Sequence, residues 1–438
     1  MFSYYLRLAF KSMGRNPILS ALMVAAIALG IGASMTTITV NYMMSSNPIP
    51  EKSEQLFYVQ VDNWSPHNPY DDETGFPPTQ LTWRDANNLY NAQQGTRQTI
   101  MAKSGGVVQP DDQDVKPFEA AFRLATNEFF AMFNVPFLFG SGWDTQADKN
   151  REHVVVITKQ INERVFGGDN SVGRELTIAG HTFKVIGVLD TWQPIPKFYD
   201  VENGAFEDIE DVFMPFLLKE ELELPSWGNT SCWKPRESDG FHAFLNSECI
   251  NFQMWVELLD ANAESGYLAF LNNYVNEQKS LGRFPRPLNN KLSHVMEWME
   301  ISEVVEEDAK VMMWLSLMFL TVCLLNTIGL LLAKFSSKSS EIGLRRAVGA
   351  SKKDLFYQHT VETACIGLLG GLLGLVLALL GLTGIKSLYG DFATKVANFD
   401  FTLVLLGLLL ALISSIAAGL YPTWRACNIQ PASQLKSQ

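Results

Sequence analysis

The 438-residue chain is 47% hydrophobic and carries a formal net charge of −12, with 34 Lys+Arg against 46 Asp+Glu. That acidity argues against nucleic-acid binding. The apolar residues gather at the two ends of the chain, which excludes an ordinary soluble globule. Asn16 to Pro50, Val311 to Ala333, Thr363 to Ile385 and Phe401 to Trp424 contain no charged residue, and each can supply the ~20 helical residues that cross a hydrocarbon core.

Residues 1–16 read as an interfacial helix: Phe2, Tyr5, Leu6, Ala9, Phe10 and Met13 share one face, opposite Ser3, Arg7, Lys11 and Arg15. Residues 17–44 form the first expected span. Its Gly30, Gly32, Ala33 and Ser34 favour close helix packing. Ser45 to Pro50 offers no small-x-small cleavage site, so the span is expected to be retained.

From about Ser45 to Glu307 the chain holds 20 Lys+Arg against 40 Asp+Glu. Basic residues flank the spans elsewhere: Arg7, Lys11 and Arg15 before the first, Lys334 to Lys353 between the second and third, Arg425 and Lys436 after the fourth. The positive-inside rule then puts both termini in the cytoplasm and exports the acidic insert.

Within the insert, Gln55–Val61 alternates as a strand and Leu81–Asn91 reads as a helix. Val154–Ile157, Lys159–Phe166, Glu175–Ile178 and Phe183–Val188 give strand, helix and hairpin, with Gly167-Gly168 and Ala179-Gly180 at the turns. Cys232 and Cys249 stand alone in the exported part. A disulfide is favoured there, the alternative being two buried thiols. The acidic run Glu207–Asp211 reads as a solvated face, and the tryptophans at 192, 227, 233 and 255 as mostly core.

Residues 295–310 read as an unbroken amphipathic stalk running into the second span at 311–333, because no Pro or Gly lies between Pro287 and Gly329. Asn326 in that span is expected to hydrogen-bond a neighbouring helix. The third span, 361–385, carries Gly367, Gly370, Gly371 and Gly374 at small-xxx-small spacing. A short loop, 386–400, leads to the fourth span at 401–424 and a tail at 425–438. The expected fold is therefore an α-helical membrane protein with four transmembrane helices and an α+β domain, 45–294, inserted between the first two.

Between the second and third spans, residues 334–360 are polar and basic. Ser339 or Ser340 can cap a short helix, Glu341 and then Arg345 and Arg346 match its dipole, Gly349 stops it, and Ser351 with Asp354 caps the next helix. Glu341-Ile342-Gly343-Leu344-Arg345-Arg346-Ala347-Val348-Gly349-Ala350 resembles the coupling-helix signature of ABC transporter permeases of the MacB, LolC/LolE and FtsX group. Asn127-Glu-Phe-Phe, Val154-Val-Val-Ile, Val172-Gly-Arg-Glu-Leu and Phe183-Lys-Val-Ile-Gly-Val resemble the MacB periplasmic core domain. Tyr421 to Ala426, with Pro431, Ala432 and Leu435, resembles the family's C-terminal motif.

The resemblance implies a bacterial inner-membrane permease working as a dimer with an identical or paralogous copy. A separate ABC ATPase subunit that binds ATP and Mg would dock on residues 341–347, 349 and 350. An efflux system would add a periplasmic adaptor and an outer-membrane duct; lipoprotein release of the LolC/LolE kind and FtsX- or Bce-like signalling are the alternatives. No cofactor or metal is expected on this chain. Gly168 to Glu175 has Arg174 and Glu175 where a phosphate-binding loop needs Lys and Ser or Thr, and no His-x-x-x-His, Cys-x-x-Cys or Gly-x-Ser-x-Gly occurs.

Overall fold

A computed structural model describes residues 2–110, 115–305, 307–389 and 401–428. The expected loop at 386–400 lies largely outside these residues, and Pro431, Ala432 and Leu435 lie wholly outside them. The chain divides into two units, Met1–Ser45 with Val305–Gln438, and Ser46–Val304.

The first unit is a bundle of four helices long and apolar enough to cross a membrane: Pro17–Met44, Ala309–Ser337, Lys352–Ile385 and Phe401–Cys427. Small residues set their spacing. A Cβ on Gly370 or Gly374 would meet Ile27 or Ile31 of the first span at 2.7 and 2.8 Å. On Gly367 or Gly371 it would meet Ser415 or Ala411 of the fourth at 1.9 and 2.6 Å. The four expected packing glycines thus serve two neighbours in alternation, letting both backbones approach the third span. The fourth helix continues through Pro422 to Cys427, beyond the expected end at Trp424.

Asn326, expected to hydrogen-bond a neighbouring helix, finds no such partner within the chain's own bundle among the described residues. It is exposed on the second span, and no hydrogen bond from it to another helix of this chain is formed among the described residues. Polar contacts between the first two spans include Ser316, whose carbonyl accepts from Ser34 Oγ at 3.1 Å and whose Oγ lies 2.7 Å from Thr37 Oγ1.

The inserted unit is built on one mixed sheet. Its strands are β1 (Leu56–Gln60), β2 (Arg97–Gln109), β3 (Phe118–Ala125), β4 (Phe137–Gly140), β5 (Val154–Ile157), β6 (Glu175–Ile178), β7 (His181–Leu189), β8 (Val212–Pro215), β11 (Gln253–Glu257) and β12 (Lys291–His294). A separate pair, β9 (Ser231–Cys232) and β10 (Cys249–Ile250), carries the Cys232–Cys249 disulfide. The sheet order is β12-β1-β11-β2-β3-β8-β5-β7-β4, with β6 joining β2 and β7. Both faces are covered: Phe57, Val59, Val155 and Ile157 enter one apolar cluster, and Leu56, Tyr58, Val154 and Val156 the other. Burial on both faces is why β5 reads as an unbroken apolar run.

The expected strand, helix and hairpin occur at β5, Lys159–Phe166, β6 and β7, and Ala179 and Gly180 both take positive φ in the turn. The β2–β3 ribbon and the helix Ala261–Ser280 have no counterpart among the expected elements.

The acidic run is only partly a solvated face. Glu207 reaches Lys103 at 2.7 Å, but Glu210 is buried with Arg123, Lys197 and Tyr199. Arg123 also binds Asp200, so one buried guanidinium is shared by two carboxylates. Burial disfavours the charged Glu210, yet Arg123 and Lys197 outweigh it and hold the carboxyl well below the usual carboxylate range.

The expected unbroken stalk is interrupted. The helix Val295–Ile301 ends at Ser302, Glu303 takes φ +49°, and the next helix begins at Glu307. The Val304 N–H donates to Met299 O and the Glu303 N–H to Glu300 O, both at 3.0 Å. These are the paired bonds of a Schellman stop. Val304 and Met299 belong to the same buried cluster, so packing ends this helix where the sequence offers no glycine.

Candidate coupling site

The segment that follows the second span folds as a short helix, Ser339–Ala347. Lys338 occupies the N-cap position instead of the expected Ser339 or Ser340. The stop is as the sequence suggests. Gly349 has φ +107°, and Ala350 and Gly349 donate to Arg345 O and Arg346 O at 3.0 and 3.2 Å. Ser351 Oγ then accepts from the Asp354 N–H at 3.1 Å, and Asp354 Oδ2 accepts from the Ser351 N–H at 3.3 Å, closing a capping box at the start of the third-span helix.

The helix has two distinct faces. Ile342, 4% exposed, and Gly343 are buried in the bundle. Arg345 lies along the body of the unit, donating to Glu341 Oε1 at 2.7 Å and Gln358 Oε1 at 3.0 Å. Arg346 Nη1 reaches the Cys427 carbonyl at 3.4 Å. Exposed outward are Ser340, Ala347 and two large apolar side chains, Leu344 at 59% and Val348 at 82%. Val348 was not among the expected site residues, although its i,i+4 spacing from Leu344 marks a shared face.

Beneath the helix lies an ionic cluster that sequence reading did not assemble. Lys334 Nζ lies 2.7 Å from Glu362 Oε1 and donates to Ser20 Oγ at 3.2 Å. Ser12 Oγ of the interfacial helix also donates to Glu362. The interfacial helix is docked here through buried Ala9 and Ser12 against the third-span helix, while Phe10, on the face expected to lie on the leaflet, is exposed. Arg15 completes the cluster with Glu341 at 3.2 Å.

These features define a multi-pass membrane protein with an extramembrane sheet domain between its first two spans and a clamped surface helix between its second and third. Residues 20–256 match a MacB-like periplasmic core domain and residues 313–431 an FtsX-like permease C-terminal region. The chain belongs to the MacB/FtsX-type family of ABC transporter permeases.

Among its relatives, the macrolide export ATP-binding/permease protein MacB of Chlorobium luteolum is 24% identical over 67% of this chain and 39% of its own. The pyoverdine export ATP-binding/permease protein PvdT of Pseudomonas syringae is 24% identical over 71% and 42%. The chain thus spans about two fifths of the length of these relatives. The periplasmic region of MacB from Actinobacillus actinomycetemcomitans aligns with 60% of this chain and 98% of its own at 14% identity and a TM-score of 0.37.

Proposed function

We propose that this chain is the permease subunit of an ATP-driven MacB-like exporter in the bacterial inner membrane, with both termini cytoplasmic and the sheet domain periplasmic. A separate ABC ATPase subunit, binding ATP and Mg, docks on the helix Ser339–Ala347. Closure of the ATPases displaces that helix, and the bundle passes the displacement to the periplasmic domain, which expels or hands on cargo.

The observation that carries this reading is the two-faced helix. Its inner face is tied to the bundle by Ile342, Glu341 and Arg345, while its outer face offers Leu344 and Val348 to a partner. Such a helix can receive a push and cannot absorb it locally.

A second permease copy is part of the proposal, and the exposed face of the second span supports it. Leu315, Phe319, Val322, Asn326, Gly329 and Ala333 follow a heptad spacing there. An Asn inside hydrocarbon gains from a polar partner across such a seam.

The test is co-purification from the native host followed by reconstitution. A co-purifying ATPase and ATP-dependent release of a small-molecule cargo support the exporter. Release of a lipid-anchored protein would replace it with the lipoprotein-releasing reading, and ATP turnover that activates a partner without any cargo would replace it with signalling.

A further inference from the structure

A cavity of about 100 Å³ opens between the interfacial helix, the helix Ser339–Ala347 and the start of the third-span helix. Four cations line it, Lys11, Arg15, Lys338 and Arg345, against two carboxylates, Glu341 and Glu362. Both carboxylates are already engaged. Glu341 is shared by Arg15 and Arg345, and Glu362 is held by Lys334 from outside the lining.

Lys11 forms no ion pair or hydrogen bond among the described residues, and Lys338 Nζ finds only the Ser12 hydroxyl, at 2.5 Å. Burial pushes the Lys338 ammonium below its ordinary pKa; Glu362 and Glu341 favour its charge, and Lys334 and Arg15 oppose it. His359 also lines the cavity. Its ring is buried, neither nitrogen is hydrogen-bonded, and the nearest carboxylate oxygen is 3.5 Å from Nδ1. The cleft therefore holds surplus positive charge and unused donors.

We infer that this cleft binds the phosphate of an anionic phospholipid of the adjoining leaflet, held by Lys11, Arg15 and Lys338. The interfacial helix supplies the placement, since exposed Tyr4 and Phe10 sit beside exposed Arg7, Lys11 and Arg15, the composition of a helix at the headgroup level. A phosphate there completes charge-assisted hydrogen bonds that no protein carboxylate is free to make. Glu341 and Arg345 belong to the same cavity, so the bound lipid ties the interfacial helix to the coupling segment and makes the leaflet part of its support. The inference rests on the membrane-surface placement adopted under the proposed function.

Native mass spectrometry of the full chain, released from phosphatidylcholine nanodiscs with or without phosphatidylglycerol, tests it. Wild type should retain phosphatidylglycerol and not phosphatidylcholine. The Lys11→Gln, Lys338→Gln pair should lower that occupancy about tenfold, as expected for loss of charge-assisted contacts, and Lys338→Arg should keep it. Should the pair aggregate, Lys11→Gln alone, at an exposed position, carries the test through the same drop in retention.

Equal retention by wild type and variant, or of both lipids, overturns the proposal. Binding of inorganic phosphate alone, with displacement of the lipid, also overturns it in favour of a free-phosphate site. The measurement needs no ATPase, so failure to co-purify one would count against the exporter reading and leave the lipid result standing.

Discussion

Lys334 Nζ lies 2.7 Å from Glu362 Oε1, with both side chains buried, and the two residues bracket the coupling segment from the end of the second span and the start of the third. Removing one partner strands a buried charge, whereas removing both does not. Lys334→Leu alone should therefore destabilise the bundle by about 3–5 kcal/mol, and adding Glu362→Leu should recover most of the loss. Thermal unfolding of the detergent-solubilised chain reads both. Equal stability of the single variant and wild type would mean that the pair does not hold these helix ends together.

The outward position of Leu344 and Val348 changes which residues should matter most for docking. Leu344→Asp with Val348→Asp should abolish ATPase co-purification while leaving the thermal stability of the chain within about 0.5 kcal/mol, because these side chains touch little within it. Arg345→Glu should instead lower stability, since it replaces the partner of Glu341 with a like charge. A pull-down paired with a melting curve separates the two effects. Retained ATPase with both aspartates in place would move the docking face elsewhere.

Asp148 gives the inserted domain a pH signature. Burial, with help from Asp144 and Glu128, raises its carboxyl from 3.8 to about 7 despite donation from the Asn127 N–H at 2.6 Å and Trp143 Nε1 at 2.7 Å. A carboxyl raised on folding is protonated in the native state where the unfolded chain has lost its proton. Its stabilising contribution is complete below the unfolded value and is lost as pH rises through about 7. The difference in unfolding free energy between wild type and Asp148→Asn should therefore shift against wild type by roughly 2 kcal/mol between pH 5 and pH 8. A pH-independent difference would show that Asp148 titrates normally.

The features legible in the sequence are those set by local rules. Charge-free runs locate the spans, Gly349 stops the helix Ser339–Ala347, Ser351 with Asp354 starts the next one, and Val154–Ile157 announces a strand covered on both sides. What escaped depends on distant neighbours. Glu210 looks like one more surface acid until β3 brings Arg123 against it, and nothing local announces that Arg345 also binds Glu341 and Gln358. Asn326 shows the limit from the other side. Its polarity suggests a partner, but the chain's own helices leave it exposed.

The stalk break at Glu303 yields a test in which the sign alone decides. Were residues 295–310 one continuous helix, glycine at 303 would cost about 1 kcal/mol in a helix interior. At φ +49°, a conformation that L side chains adopt at a cost and glycine adopts freely, Glu303→Gly should instead stabilise the inserted domain by roughly 0.5–1 kcal/mol. Glu303→Val should destabilise it by at least ~1 kcal/mol, because a β-branched side chain tolerates positive φ poorly. Val304→Ala should cost about 1–3 kcal/mol, because Val304 is buried in the same apolar cluster as Met299. Denaturant unfolding of the three variants, followed by tryptophan fluorescence, checks the series, because Trp298 is buried in the helix that this turn ends. A destabilising glycine would restore the continuous rod as the link between domain and span. A stabilising one identifies residues 302–304 as a turn, held by the Val304 N–H to Met299 O bond, which the transmission proposed above would have to cross.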